Sequence, residues 1–157
     1  MGAEIKYIKG DATQPAGEGN KMIVHICNDI GGWGKGFVTA ISKRWKQPEV
    51  LYREWFKSKE NFDLGKVQFV QVENDLWVAN MIAQHKINKD EQGNPPVRYN
   101  AVREALNEVA VFANSISASV HMPRIGCGLA GGNWNEIEKI VNRTLIANNI
   151  DVTVYDF

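Results

Sequence analysis

Apolar and polar positions along this chain fall into two kinds of block. Short apolar runs rich in β-branched side chains read as strands: IKYIK at 5–9, MIVHIC at 22–27, KVQFVQV at 66–72, LWVANMIAQ at 76–84, SVHMPRI at 119–125 and DVTVYDF at 151–157. Between them, apolar residues recur at helical spacing. Phe37, Ile41 and Trp45 share one face, and Pro48 opens a second helix, PEVLYREWFKSK. Val102, Leu106, Val109 and Phe112 mark a third, and Ile137, Ile140, Val141 and Leu145 a fourth. Asn133 is the N-cap of that fourth helix, with Glu136 placed as in a capping box. KVQFVQV alternates, with Val67, Phe69 and Gln71 on one side, and pairs with LWVANMIAQ around a turn at Asn74 and Asp75. INKDEQGNPPV at 87–97 is the longest loop. Strands alternating with helices predict a three-layer α/β/α domain with a largely buried sheet.

Composition narrows the function classes. The 157 residues are the size of one domain, 1–157. Lys and Arg number 18 against 18 Asp and Glu, so no surplus of positive charge drives counterion release from nucleic acid or an anionic membrane. A local basic patch stays open; the basic run SKRWK at 42–46 reads as the solvated face of the first helix. No run approaches the ~20 apolar residues of a membrane span. MGAEIKYIKG has no apolar signal core, and Lys6 stands where a myristoylation site needs Ser or Thr. Two cysteines, Cys27 and Cys127, suggest free thiols in a reducing, cytoplasmic setting.

Two glycine loops carry the candidate chemistry. IGGWGKG at 30–36 and IGCGLAGGNW at 125–134 each follow an apolar strand and precede a helix. Such a unit leaves backbone N–H groups free at the helix start, and glycine lets an oxyanion approach them closely. Two loops of this kind at the carboxyl ends of strands suggest a cleft gripping a diphosphate from two sides. The second loop also matches G-x-G-x-x-G, with Asp151 20 residues past Gly131. Only six residues follow Asp151, however, and it would start its strand rather than end one, which argues against nicotinamide or flavin. No Walker A motif is present, since Gly36 follows Lys35.

YIKGDATQP, MIVHICNDIGGWGKGFVTAI, PRIGCGLAGGNW and VTVYDF, in that order, resemble a macrodomain over nearly the whole chain. The likeness is to the small branch that includes ADP-ribose-1″-phosphate phosphatases and terminal ADP-ribose–protein hydrolases. It implies a mixed, mostly parallel sheet between helical layers, and ADP-ribose or its derivatives, including modified macromolecules, as the partner. No cofactor or metal is implied. Asp11 matches the acid that accepts a hydrogen bond from the adenine amino group, with Ala12 adding its backbone. Asn28 matches the asparagine beside the distal ribose; its other reading is an Asx-turn. Gly32, Gly34 and Gly36, with Lys35, form the first phosphate loop. Gly126, Cys127, Gly128, Leu129, Ala130 and Gly131 form the second. Trp33 either covers the ligand or packs on the sheet. Phe157 is placed to stack on adenine, whereas Tyr155 suits the strand core.

The resemblance also bears on turnover. Related hydrolases that free ADP-ribose from glutamate use a lysine after the strand matching WVANMIAQ and an aspartate in the second glycine loop. Ala130 and Gln84 occupy those positions, which counts against that lysyl mechanism; Lys86 lies close enough for a small shift to bring it in. The phosphatase branch carries a histidine matching His25. That residue would assist water attack on a 1″-phosphate or protonate the leaving ribose oxygen; its plain reading is a buried, hydrogen-bonded histidine. Asp29 is a second candidate acid or base. The expected function is therefore ADP-ribose binding with hydrolysis of a 1″-linked group, and the alternatives are a reader without turnover or a hydrolase of modified macromolecules. Cys127 lacks an acidic neighbour and reads as a small buried residue rather than a nucleophile. The histidines and cysteines show no paired zinc spacing.

Overall fold

A computed structural model describes residues 2–157. Six strands form one sheet: β1 (Ile5–Lys9), β2 (Lys21–Asn28), β3 (Val67–Glu73), β4 (Leu76–Gln84), β5 (Ser119–Met122) and β6 (Val152–Asp156). Their order is β1-β6-β5-β2-β4-β3. All neighbours run parallel except β3, which pairs antiparallel with β4 across the turn at Asn74 and Asp75. The described residues also form four α-helices, α1 (Phe37–Arg44), α2 (Gln47–Ser58), α3 (Tyr99–Ser115) and α4 (Trp134–Thr144), and a 3-10 turn at Ile146–Asn148.

The continuous apolar run of β2 reflects a central strand buried on both faces. Met22 and Val24 join the core that holds Leu106, Val109, Ile137 and Val141 of α3 and α4. Ile23 and Cys27 join the core that holds Ile41 of α1 and Tyr52 of α2. By the period of two, His25 shares the face of Ile23 and Cys27. The sheet thus lies between two helical layers, and the chain leaves the carboxyl ends of β1, β2, β5 and β6 on one side.

Details differ from the pattern-based expectations for physical reasons. The fifth strand stops at Met122, because Pro123 has no N–H for the ladder. On β3, Val67 and Phe69 pack toward α3, with Phe69 stacked on Phe112 at 4.4 Å, but Gln71 is exposed and Val70 on the other face is the most buried. At α4, Asn133 Oδ1 accepts from Asn135 N at 2.8 Å, as an N-cap should. Its capping box is not closed: Asn133 N donates to Tyr99 OH, and Glu136 pairs with Lys139.

Candidate functional site

Two cavities adjoin at the carboxyl edge of the parallel strands. One, of about 650 Å³, lies over the ends of β1 and β6 and is bordered by Asp11, Thr13, Arg44, Tyr155 and Phe157, among others. The second, of about 330 Å³, lies over the end of β2 and is bordered by His25, Lys35, Gln84, Arg124 and residues 125–130 except Cys127. Gly36, Phe37 and Pro123 border both and form the waist between them.

In the larger cavity Asp11 is fixed from three directions. Its Oδ1 accepts from Thr13 N at 2.8 Å and from Thr13 Oγ1 at 2.7 Å. Arg44 Nη2 lies 3.5 Å from its Oδ2, and Arg44 Nε donates to Thr13 Oγ1 at 2.7 Å. Burial raises the carboxyl pKa, but the bonds from Thr13 and Arg44 outweigh it and hold Asp11 below its ordinary range. A buried Ala12 follows it, and Tyr155 OH accepts from Ala16 N. Phe157 is fully exposed at the cavity rim. Lys43, Arg44 and Lys46 are exposed, as expected of SKRWK on a solvated face, and Arg44 also turns back onto Asp11 and Thr13.

At the waist the backbone is unsatisfied. Gly36 is the residue before α1, at φ 82, with no side-chain cap on the helix. Among the described residues, the N–H groups of Trp33 through Val38 find no acceptor in the protein, nor do those of Gly128, Leu129 and Ala130 on the facing loop. A Cβ at Gly34 or Gly128 would meet no atom within 4 Å, which leaves room for close approach. Gly132, which sequence reasoning passed over, is needed for packing. A Cβ there would lie 2.4 Å from the Gly126 carbonyl oxygen, to which Gly132 N donates. Charge is concentrated too. Lys35, Lys43, Arg44 and Arg124 border the two cavities; Arg44 is paired with Asp11, and Arg124 with Asp156 at 2.7 Å. Among the described residues, Lys35 and Lys43 are the two of these four that make no ion pair, so the positive charge left at the cleft rests on them.

His25 is 1% exposed and borders the smaller cavity. Its Nε2 lies 2.6 Å from Asn80 Oδ1, its ring packs edge-on to Trp33 at 5.4 Å, and its Nδ1 has no hydrogen-bond partner. Burial pulls its pKa down to about 4, against the smaller opposing effect of Asn80. Burial thus disfavours the imidazolium that protonation of a leaving group would use.

Other expected site residues stand elsewhere. Asp29 borders neither cavity: its Oδ2 lies 2.7 Å from His85 Nδ1 and its Oδ1 accepts from Lys86 N, tying the β2 and β4 exit loops together. Asn28 adopts its Asx-turn reading. Its Oδ1 accepts from Gly32 N at 2.9 Å, its Nδ2 donates to Gly32 O, and Tyr52 OH donates to its backbone carbonyl. Trp33 does not cover the cleft; it is 5% exposed, with Nε1 donating to Ser42 Oγ. Gly32, Gly131 and Cys127 shape the loops without bordering either of these two cavities, and burial raises the Cys127 thiol pKa despite Arg124 nearby. Gln84 does reach the smaller cavity, whereas Lys86 faces a separate hollow beside His85.

No family model matches the chain. Among solved structures, a protein of unknown function from Bacteroides thetaiotaomicron is 65% identical, with TM-score 0.98 and 99% of each chain covered. A macrodomain protein from Streptomyces coelicolor is 53% identical, with TM-score 0.88, covering 98% of this chain and 99% of that one. DarTG of Thermosipho africanus, solved in complex with ADP-ribose, shares the fold at 19% identity and TM-score 0.72, covering 87% of this chain and 38% of that one. Among curated proteins, the mouse chromodomain-helicase-DNA-binding protein 1-like is 32% identical over 98% of this chain, which spans only 18% of that protein's length. An ADP-ribose 1″-phosphate phosphatase of Meyerozyma guilliermondii is 22% identical, covering 96% of this chain and 99% of the relative. Sharing its fold, its length and half its residues with the Streptomyces protein, this chain belongs to the macrodomain family.

Proposed function

We propose that this protein binds ADP-ribose across the two cavities and hydrolyses a group linked at 1″, phosphate being the simplest. The observation that carries the reading is the waist, where unpaired amides of two glycine loops face one another between the two cavities, with Lys35 and Lys43 at their borders. Adenine would sit over Ala12 with its amino group donating to Asp11. The diphosphate would meet the waist amides, and the distal ribose would enter the cavity beside His25. Hydrogen bonds to a charged group contribute roughly 1.5–3 kcal/mol each, so a few of them bring a micromolar Kd within reach. The named phosphatase relative and the ADP-ribose complex of DarTG support the ligand class.

For the reaction, a water oxygen attacks phosphorus and the bond from phosphorus to the 1″ oxygen breaks. The water's proton leaves the nucleophile, and the ribose oxygen takes one up. Inorganic phosphate and ADP-ribose are the products. Lys35 borders the same cavity and would stabilise charge on the phosphoryl oxygens; Arg124 beside it is held by Asp156. Neutral His25 is suited to accept a hydrogen bond from the attacking water or the ribose; the burial that lowers its pKa disfavours the imidazolium whether it forms by taking up a proton or is needed to give one.

A second reading, binding without turnover, is favoured by one observation: among the described residues, no carboxylate borders the smaller cavity. In that case ADP-ribose carried by a modified macromolecule is the partner. Phosphate release from ADP-ribose-1″-phosphate separates the two. Release by the wild type that collapses in His25→Ala supports hydrolysis through His25. Unchanged release removes His25 from the mechanism, and no release by the wild type leaves the reader.

A further inference from the structure

A buried chain of hydrogen bonds settles which nitrogen of His25 carries the proton. Asn80 is fully buried on β4, opposite His25 in the sheet register. One end of its amide lies 3.1 Å from the backbone carbonyl of Pro48 and 3.0 Å from Gln68 Oε1. A backbone carbonyl only accepts, so that end of Asn80 is the NH₂ group. Its Oδ1 therefore faces His25 Nε2, at 2.6 Å, and needs a donor there. A neutral imidazole has a single N–H. The proton is on Nε2, and Nδ1 holds a bare lone pair with no partner in a residue that borders the smaller cavity.

From this geometry we propose that Asn80 is a positioning residue, fixing His25 in the Nε2–H tautomer so that Nδ1 accepts a hydrogen bond from an O–H group in the smaller cavity. The donor is either a water or a hydroxyl of the distal ribose; the latter rests on the ADP-ribose reading above. Neither role needs a change in net charge. An unpartnered acceptor inside the protein is costly, so a group that supplies the donor is bound more tightly than one that does not. Asn80 itself touches neither cavity.

Nitrogen-15 NMR of histidine-labelled protein at pH 7 tests this without relying on activity. The expected wild-type spectrum has a protonated Nε2 and an unprotonated Nδ1 at His25. A protonated Nδ1 would overturn the proposal. Asn80→Leu should give a mixture of tautomers, and Asn80→Asp, which keeps an acceptor facing Nε2, should restore the single form. A single Nε2–H form persisting in Asn80→Leu would show that Asn80 does not set the tautomer. The wild-type spectrum decides the tautomer even if a variant fails to fold. Adding ADP-ribose should move the Nδ1 resonance if a ribose hydroxyl is the donor; an Nδ1 already shifted in the free protein and unmoved by ligand identifies water. An Nδ1 that carries no hydrogen bond in either state contradicts the acceptor role. If calorimetry detects no ADP-ribose binding, the functional reading falls, while the tautomer is still decided by the free-protein spectra.

Discussion

His25 and His121 stand on adjacent strands, β2 and β5, and differ in one hydrogen bond. They are 1% and 3% exposed, and burial pulls both pKa values down to about 4. For His121, nearby Lys21 adds to the effect. Tyr155 OH accepts from Ala16 N, so its own proton points to His121 Nδ1 at 2.7 Å. His121 Nε2 then donates to Ser119 Oγ at 2.8 Å. Both rings are thus Nε2–H tautomers, but only His121 has a hydroxyl on its Nδ1. Burial and a depressed pKa do not distinguish a working histidine from a structural one. The unmet Nδ1 of His25, in a residue that borders a cavity, is the difference on which its proposed role rests.

The largest expected effect sets the two histidines alike. Their folded pKa values lie below the ordinary 6.5, so the unfolded chain takes up protons first as pH falls. Their contribution to stability is complete above pH 6.5 and is lost between 6.5 and about 4, roughly 3 kcal/mol for each. Urea unfolding at several pH values checks this; flat stability from pH 7 to 5 contradicts it. Next in size, Tyr155→Phe should turn His121 into a copy of His25, removing the donor to Nδ1 and the acceptor for Ala16 N. It should cost about 1–3 kcal/mol in chemical denaturation. An unchanged midpoint means that Tyr155 is not the partner that matters.

His25→Leu should split the pair the other way. It removes an unsatisfied nitrogen but strands Asn80 Oδ1, for a net stability change of about 1 kcal/mol. ADP-ribose affinity should fall about three- to tenfold, the worth of one ordinary hydrogen bond. A stability loss matching Tyr155→Phe with unaltered affinity would make His25 merely a second His121. The smallest effect belongs to Ser119→Ala. Ser119 is only partly buried, so water can replace its hydroxyl, and the loss should be about 0.5 kcal/mol in the same denaturation assay.

Much of this was legible in the chain because it is local. Apolar runs and helical spacing placed the strands and helices, and clustered glycines marked the two loops at the cleft. The misplaced residues depend on distant contacts. Arg44 sits in a basic run that is exposed as expected, but its bond to Thr13, 31 positions away, had no local signal. Asp29 lies beside the cleft in sequence, but His85, 56 positions away, draws it aside. Trp33 lies among glycines and still turns inward, where Ser42 and the ring of Tyr52 receive it. The tautomer of His25 follows from Pro48, Gln68 and Asn80, which come together only through the register of β2, β4 and β3 and the seating of α2.

Calorimetric titration of the wild-type protein with ADP-ribose, set beside AMP and NAD, bears most directly on the cleft. Saturable one-site binding of ADP-ribose with a micromolar Kd is the predicted result, with AMP weaker because it lacks the second phosphate and the distal ribose. Absence of binding heat at high micromolar ADP-ribose would contradict the assignment of the two cavities and their waist to this ligand.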